Sequence, residues 1–217
     1  MVLVMQRLLS VTFFVLFAGL MPAQDFLQSP GAKSQAQLRL EYSTVKPGET
    51  VSAALHLVIP KPWHTYWLNH GGVGEAPSIV WELPKGVSAG EIRWPLPKKH
   101  PSFGSIAYVY EQEVTLMVPL NISPDLELGE LELKADVKWL ECTDEECVQG
   151  NSLVTAMLTV GLKKNLSKDA QFFSRWRARL PDPKEKKELT AEWAGPAADN
   201  HWRPLAFRVP VNDAQTE

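Results

Sequence analysis

Between Gln35 and Val160, apolar and polar residues alternate in short runs separated by turn-forming residues, the pattern of half-buried β-strands. Ala36, Leu38, Leu40 and Tyr42 alternate with polar partners until Lys46-Pro47-Gly48-Glu49 interrupts them. Val51, Ala53, Leu55, Leu57 and Ile59 resume the alternation, and Pro60-Lys61-Pro62 ends it. The same reading predicts strands at Thr65 to Leu68, Ser78 to Leu83, Ser88 to Trp94, Ala107 to Tyr110, Val114 to Ile122, Leu131 to Glu141 and Leu153 to Val160. Many short strands with turn signals between them favour two packed sheets over a closed barrel. The expected fold class is all-β, an immunoglobulin-like β-sandwich.

The pattern changes after Gly161. Leu166, Ala170, Phe173, Arg177 and Leu180 recur near helical spacing, and Pro181 and Pro183 stop the run. This predicts a short amphipathic helix or linker over 163–183. Leu189 to Trp193 and Pro204 to Val211 then read as strands of a second β unit, 184–217, which the chain leaves incomplete. The expectation is a piece of a longer protein.

At the other end, Arg7 precedes an apolar, uncharged run from Leu8 to Leu20, followed by Met21-Pro22-Ala23-Gln24. A positive start, a short apolar stretch and a small residue describe a secretory signal over 1–23, too short to span a bilayer as a helix. Export places the remainder where disulfides persist. Net charge is -3 with balanced signs, which leaves no electrostatic footprint for nucleic acid. With 17 Pro and 13 Gly the chain is turn-rich, in keeping with many short strands.

Candidate chemistry centres on the only two cysteines, in Cys142-Thr143-Asp144-Glu145-Glu146-Cys147. If Thr143 to Glu146 connects two antiparallel strands, the cysteines oppose each other at a Cα separation of about 4.5 to 5.5 Å, which a disulfide bridges without strain. A loop this short contributes about 2.2 kcal/mol in the chain-entropy account, against about 4.7 kcal/mol for a hundred-residue loop. A staple placed for stability gains more by joining distant strands, so the local placement favours function, although a structural hairpin disulfide stays open. Glu141, Asp144, Glu145 and Glu146 surround the pair with negative charge, which is expected to raise the thiol pKa and slow random exchange.

The chain resembles the N-terminal, immunoglobulin-like domain of the thiol:disulfide interchange protein DsbD and the ScsB-type protein-disulfide reductases. The resemblance runs from about Gln37 through Leu180. It rests on Trp63-His64-Thr65-Tyr66-Trp67, Pro77-Ser78-Ile79 with Trp81, Leu83-Pro84-Lys85-Gly86-Val87 and Ile92-Arg93-Trp94-Pro95. Phe103-Gly104 with Tyr108 and Tyr110, then Trp139-Leu140-Glu141-Cys142 and Glu145-Glu146-Cys147-Val148-Gln149-Gly150, follow in order. The resemblance implies a redox domain over 30–162 that takes electrons from a thioredoxin-like domain or protein and passes them to oxidised periplasmic proteins. A membrane electron carrier belongs to the full-length relatives, whose roles include cytochrome c biogenesis and copper tolerance. It further implies that Cys147 forms the mixed disulfide, that Cys142 resolves it, and that no cofactor is needed. A mobile aromatic cap would fall at His100, Pro101, Ser102, Phe103 and Gly104, with Phe103 as the cap residue and Tyr66, Trp67 and Tyr110 as the aromatic surround. The acidic residues of the DsbD cap are missing here, which puts proton management by the cap in doubt.

Other readings of the residues compete. His64, His70 and His100 with the cysteines form a possible soft-metal set for Cu(I) or zinc, against the plainer expectation of no metal. His70-Gly71-Gly72-Val73-Gly74 lacks the strand-to-helix setting and the lysine of a phosphate loop. Trp63, Tyr66, Trp67, Trp81 and Trp94 make either a carbohydrate platform or sandwich core. A non-catalytic extracytoplasmic module with a structural disulfide is the alternative to a redox relay.

Overall fold

The computed structural model describes residues 31–102, 104–181, 190–193, 195 and 205–208. The predicted signal, 1–23, and most of the predicted second unit lie outside the described residues. The first strands are β1 (Gln35–Leu40), β2 (Tyr42–Val45), β3 (Thr50–Val58), β4 (His64–Tyr66), β5 (Ser78–Glu82) and β6 (Val87–Ala89). They are followed by β7 (Lys98–Ser102), β8 (Ser105–Glu111), β9 (Glu113–Ile122), β10 (Gly129–Cys142), β11 (Cys147–Val160) and β12 (Asn165–Leu166). Helix α1 (Ala170–Arg177) and a separate antiparallel pair, β13 (Thr190–Trp193) and β14 (Leu205–Arg208), complete the described elements.

Two sheets form an immunoglobulin-like sandwich. One has the order β1-β3-β9-β6, and the other runs β12-β2-β11-β10-β4-β8-β7, with β5 also paired to β10. Alternation sets the core: Val51, Ala53, Leu55 and Leu57 of β3 and Val114, Leu116, Val118 and Leu120 of β9 face Leu133, Ala135, Val137 and Trp139 of β10. Trp139 lies over Gly150, its register partner, where a Cβ would stand 2.2 Å from the indole. The predicted strand from Ser88 to Trp94 is shorter in fact. Only Val87–Ala89 pairs continuously, and Arg93 makes an isolated bridge to Met117. The run expected from Ala36 to Tyr42 divides, because β1 pairs with β3 while β2 crosses to β11 in the other sheet.

Helix α1 covers the outer face of the first sheet, where Phe172, Phe173 and Trp176 pack on Ala54 and Met117. The buried stripe differs from the predicted one, since Leu166 sits in β12 and is exposed and Arg177 reaches out to Glu41. The helix starts only at Ala170, after Ser167 has donated to Leu40 O at 2.5 Å and accepted from Asp169 N at 3.0 Å. Arg39 ties this start to β1 through Asp169 at 3.1 Å and lies 4.5 Å from the Phe172 ring centre.

His56 is buried beneath α1, with Nδ1 2.9 Å from Thr115 Oγ1 and its ring 5.1 Å from that of Phe172. Burial, and then Arg39, hold its pKa below the usual histidine value against the opposing pull of Glu113. The unfolded chain therefore binds a proton as pH falls through about 6.5 while the folded one resists, so stability drops on acidification. We expect urea unfolding to show this decline below about pH 7, at no more than about 1.4 kcal/mol per pH unit for one proton, and His56→Gln to reduce its slope. An unchanged slope in the variant would assign the decline to other groups.

Candidate redox site

β10 and β11 run as one antiparallel hairpin in unbroken register from Gly129↔Val160 to Cys142↔Cys147. Because odd positions of β10 face the core, the parity of the strand sends Cys142, and Cys147 opposite it, to the outer face of the sheet. The connection is closed by Thr143. Its N–H donates to Glu146 O at 2.8 Å, and its Oγ1 accepts from the N–H groups of Glu145 and Glu146, each at 3.1 Å. The cysteines are joined as a disulfide with a Cα separation of 4.1 Å, slightly closer than unbridged opposed residues. Their environments differ. Cys142 is 1% exposed, whereas Cys147 is open to solvent.

Strand pairing extends this row sideways. Cys142 opposes His64 of β4, and His64 opposes Glu111 of β8, so Cys147, Cys142, His64 and Glu111 lie in one line on one face. Cys142 packs in a small cluster with Tyr66, Ala107 and Val109, edged by Val73 and Leu140. The His64 ring lies 4.5 Å from that of His100 at a tilt of 38°, and 5.4 Å edge-on from Tyr66. His100 in turn places Nε2 3.5 Å from Asp144 Oδ1 and Nδ1 3.7 Å from Glu111 Oε1. Lys98 meets Glu111 at 3.1 Å.

Burial lowers the His64 pKa, the adjacent His100 adds to this, and Asp144 and Glu111 oppose it. Burial raises that of Tyr66, so its phenol keeps its proton. The Lys98 hydrogen bond holds the Glu111 carboxyl below its ordinary value. A cavity of about 400 Å³ opens between Pro62, Trp63 and His100 on one side and the 143–146 turn on the other. An incoming thiolate has access to Cys147 and almost none to Cys142.

The structure distributes the predicted site residues unevenly. His100 and Tyr66 join the pair. Trp67 and Tyr110 face the other way: Trp67 packs on the inter-sheet core, 5.9 Å from the Tyr108 ring, and Tyr110 donates to Pro95 O at 2.7 Å within that core. The segment expected as a cap loop forms the β7–β8 hairpin, with Ser102 opposite Ser105 and Gly104 at φ +79° in its turn. Pro101 fits because β7 is an edge strand. Phe103 lies outside the described residues.

Glu141 needs correction, since it does not crowd the pair. It is fully buried on the inner face, accepting from the N–H groups of Lys33 at 2.5 Å and Ser34 at 3.0 Å and from the Ser34 hydroxyl. The suggested aromatic platform is likewise absorbed into the fold, with Trp63 and Tyr66 buried and Trp67, Trp81 and Trp94 packed against the core. Gly74, at φ +90°, lets the glycine-rich segment pass over Tyr66, where a Cβ would stand 2.2 Å from the ring. Among the described residues, no three His, Cys, Asp or Glu side chains converge to hold a metal. Sequence reasoning missed Glu111 and Lys98, which only the pairing of β8 with β4 and β7 brings to the site.

The family model described as thiol:disulfide interchange protein DsbD, N-terminal, matches residues 30–159. The chain belongs to the DsbD N-terminal domain family. That family is one of thiol–disulfide exchange modules, and the oxidised pair lies within the matched span. Among solved structures, the N-terminal periplasmic domain of ScsB from Proteus mirabilis is similar at 21% identity, with a TM-score of 0.50, covering 79% of this chain. The chain spans 61% of that domain's length. The N-terminal domain of Neisseria meningitidis DsbD in its reduced form is also similar, at 14% identity and a TM-score of 0.30, covering 59% of this chain and 89% of that one. No curated protein matches the sequence.

Proposed function

We propose that the sandwich relays electrons by cycling Cys142–Cys147 between disulfide and dithiol, drawing on a thioredoxin-like or membrane-embedded donor and delivering to oxidised proteins of the periplasm. The observation that carries this reading is the contrast in exposure between the two cysteines of one hairpin-tip disulfide. A donor thiolate attacks the exposed Cys147 Sγ, and Cys142 leaves with the bonding electron pair. The donor's second thiolate then releases reduced Cys147. In the delivering half-cycle, Cys147 thiolate attacks the acceptor disulfide and Cys142 resolves the mixed disulfide, re-forming the bond. In this reading residues 1–23 direct export, 30–162 form the redox domain, 163–183 link it onward, and 184–217 begin a further β unit. The β7–β8 tip, carrying His100, Ser102, Phe103 and Gly104, serves as the cap over the 143–146 turn.

Equilibration of the folded domain with thiol buffers, followed by alkylation of free thiols, measures the potential of the pair. We expect a value between about -200 and -280 mV, the range of exchange proteins. A value well below about -300 mV, or a bond that opens only on denaturation, would leave a structural disulfide instead.

A further inference from the structure

We propose that His64 carries the proton to and from Cys142, with His100 as its link to solvent. This rests on the exchange reading above and supplies a step that reading needs. Reduction of the pair consumes two electrons and two protons: the S–S bond breaks, and each sulfur finishes as a thiol. Cys147 takes its proton from water directly. Cys142 is 1% exposed and packed among Tyr66, Ala107 and Val109, so its proton has to come through the protein. A bare thiolate left in such a site is costly.

Among the residues that pack on Cys142 or pair beside it, His64 is the one suited to carry a proton. Ala107 and Val109 hold no labile proton, and burial keeps the Tyr66 phenol from giving up its own. His64 is the direct cross-strand partner of Cys142 on the same face. It is 3% exposed, and its Nε2 is buried without a hydrogen-bond partner. An orphaned ring nitrogen in a native interior requires an explanation, and a site for a transient proton provides one. The His100 ring, 4.5 Å away, has a side chain 23% exposed and stands between Asp144 of the turn and Glu111 of β8. Lys98 partners Glu111 on its far side. The groups facing His64 are thus Cys142, Tyr66, Glu111, His100 and Asp144.

In the reducing direction, Cys142 leaves as thiolate, His64 takes a proton from water through His100, and the imidazolium so formed passes a ring proton to the sulfur and returns to neutral imidazole. In the oxidising direction, His64 accepts the Cys142 proton, Cys142 thiolate attacks Cys147 Sγ in the mixed disulfide, and the partner sulfur departs with the electron pair. The lowered His64 pKa keeps the imidazole neutral at neutral pH, so that it has a lone pair free for this step.

The test uses the reduced domain and the aromatic disulfide 5,5′-dithiobis(2-nitrobenzoate). Attack by Cys147 releases one coloured thiolate, and resolution by Cys142 releases a second. We expect His64→Gln to slow the second phase at neutral pH by about 100-fold, the lower end of general acid–base effects. Its rate should then climb with pH as the unaided thiol ionises, while the first phase stays within about twofold of wild type, as expected where the attacking thiol, Cys147, is solvent-exposed. His100→Gln should slow the second phase less. A second phase unchanged in His64→Gln, or both phases slowed alike with no change in pH profile, would overturn the proposal. If His64→Gln does not fold, NMR titration of the His64 ring in the wild type decides. A midpoint that moves by about half a pH unit or more between the disulfide and dithiol forms supports proton sharing, and coincident titrations overturn it. Failure of Cys147 to react at all in the native domain would sink the exchange reading itself, a result separate from loss of the second phase alone.

Discussion

Cys142→Ala is expected to leave the domain covalently held on its redox partners through Cys147, while Cys147→Ala abolishes exchange and forms no adduct. The asymmetry follows from access. With Cys142 gone, the exposed Cys147 thiolate still attacks a partner disulfide, but no opposed sulfur remains at the hairpin tip to release it. Cys142 remaining alone is 1% exposed within the Tyr66, Ala107 and Val109 cluster, out of reach of a partner. Non-reducing gels of each variant mixed with oxidised substrate or an oxidised thioredoxin-like protein, whose disulfide the remaining thiol can attack, read the outcome. Adducts that form equally through either cysteine, or only through Cys142, would reverse the assigned roles.

The largest stability effect is expected at Glu141, next to the redox cysteine in sequence but on the opposite face. Its carboxyl accepts from two backbone N–H groups and a hydroxyl of the 33–34 segment, all buried or partly buried. Glu141→Leu strands these donors without water, at a cost of about 2–4 kcal/mol. For a domain of this size that corresponds to a fall in Tm of roughly 10 °C. Glu141→Gln keeps an acceptor oxygen and should lose less. Thermal unfolding of the oxidised proteins tests the order, and a Leu variant as stable as wild type would show that the 33–34 segment contributes little.

Glu141 also shows where the sequence stopped being legible. Strand alternation located β3, β9 and β10, and the short connection between the cysteines was enough to place them opposite each other. Both are local properties. The partner of Glu141 lies 107 residues earlier, so an acidic residue beside three others looked like part of one charged cluster. The same limit applies to Tyr66 and Tyr110, two aromatics read as one surround. Their opposite orientations follow from the register of β4 against β8 and β10, a long-range choice that composition does not encode. His64 was visible as a residue, but its position beside Cys142 depends on pairing with a strand 78 residues further along the chain. Pro101 weakened the strand signal of β7, because a proline in a strand is tolerated only where an edge leaves its missing N–H unneeded.

The short ring closed by the disulfide also limits how far folding can bias electron transfer. By a thermodynamic cycle, the stability that the bond adds to the folded domain equals the amount by which folding favours the oxidised over the reduced pair. A contribution of about 2.2 kcal/mol for so small a ring corresponds to about 50 mV. The hairpin, paired along its whole length before the cysteines are reached, needs no crosslink to hold its register. Both redox forms should therefore remain folded, and the potential of the pair should stay close to that of an ordinary dithiol, within reach of donors on one side and acceptors on the other.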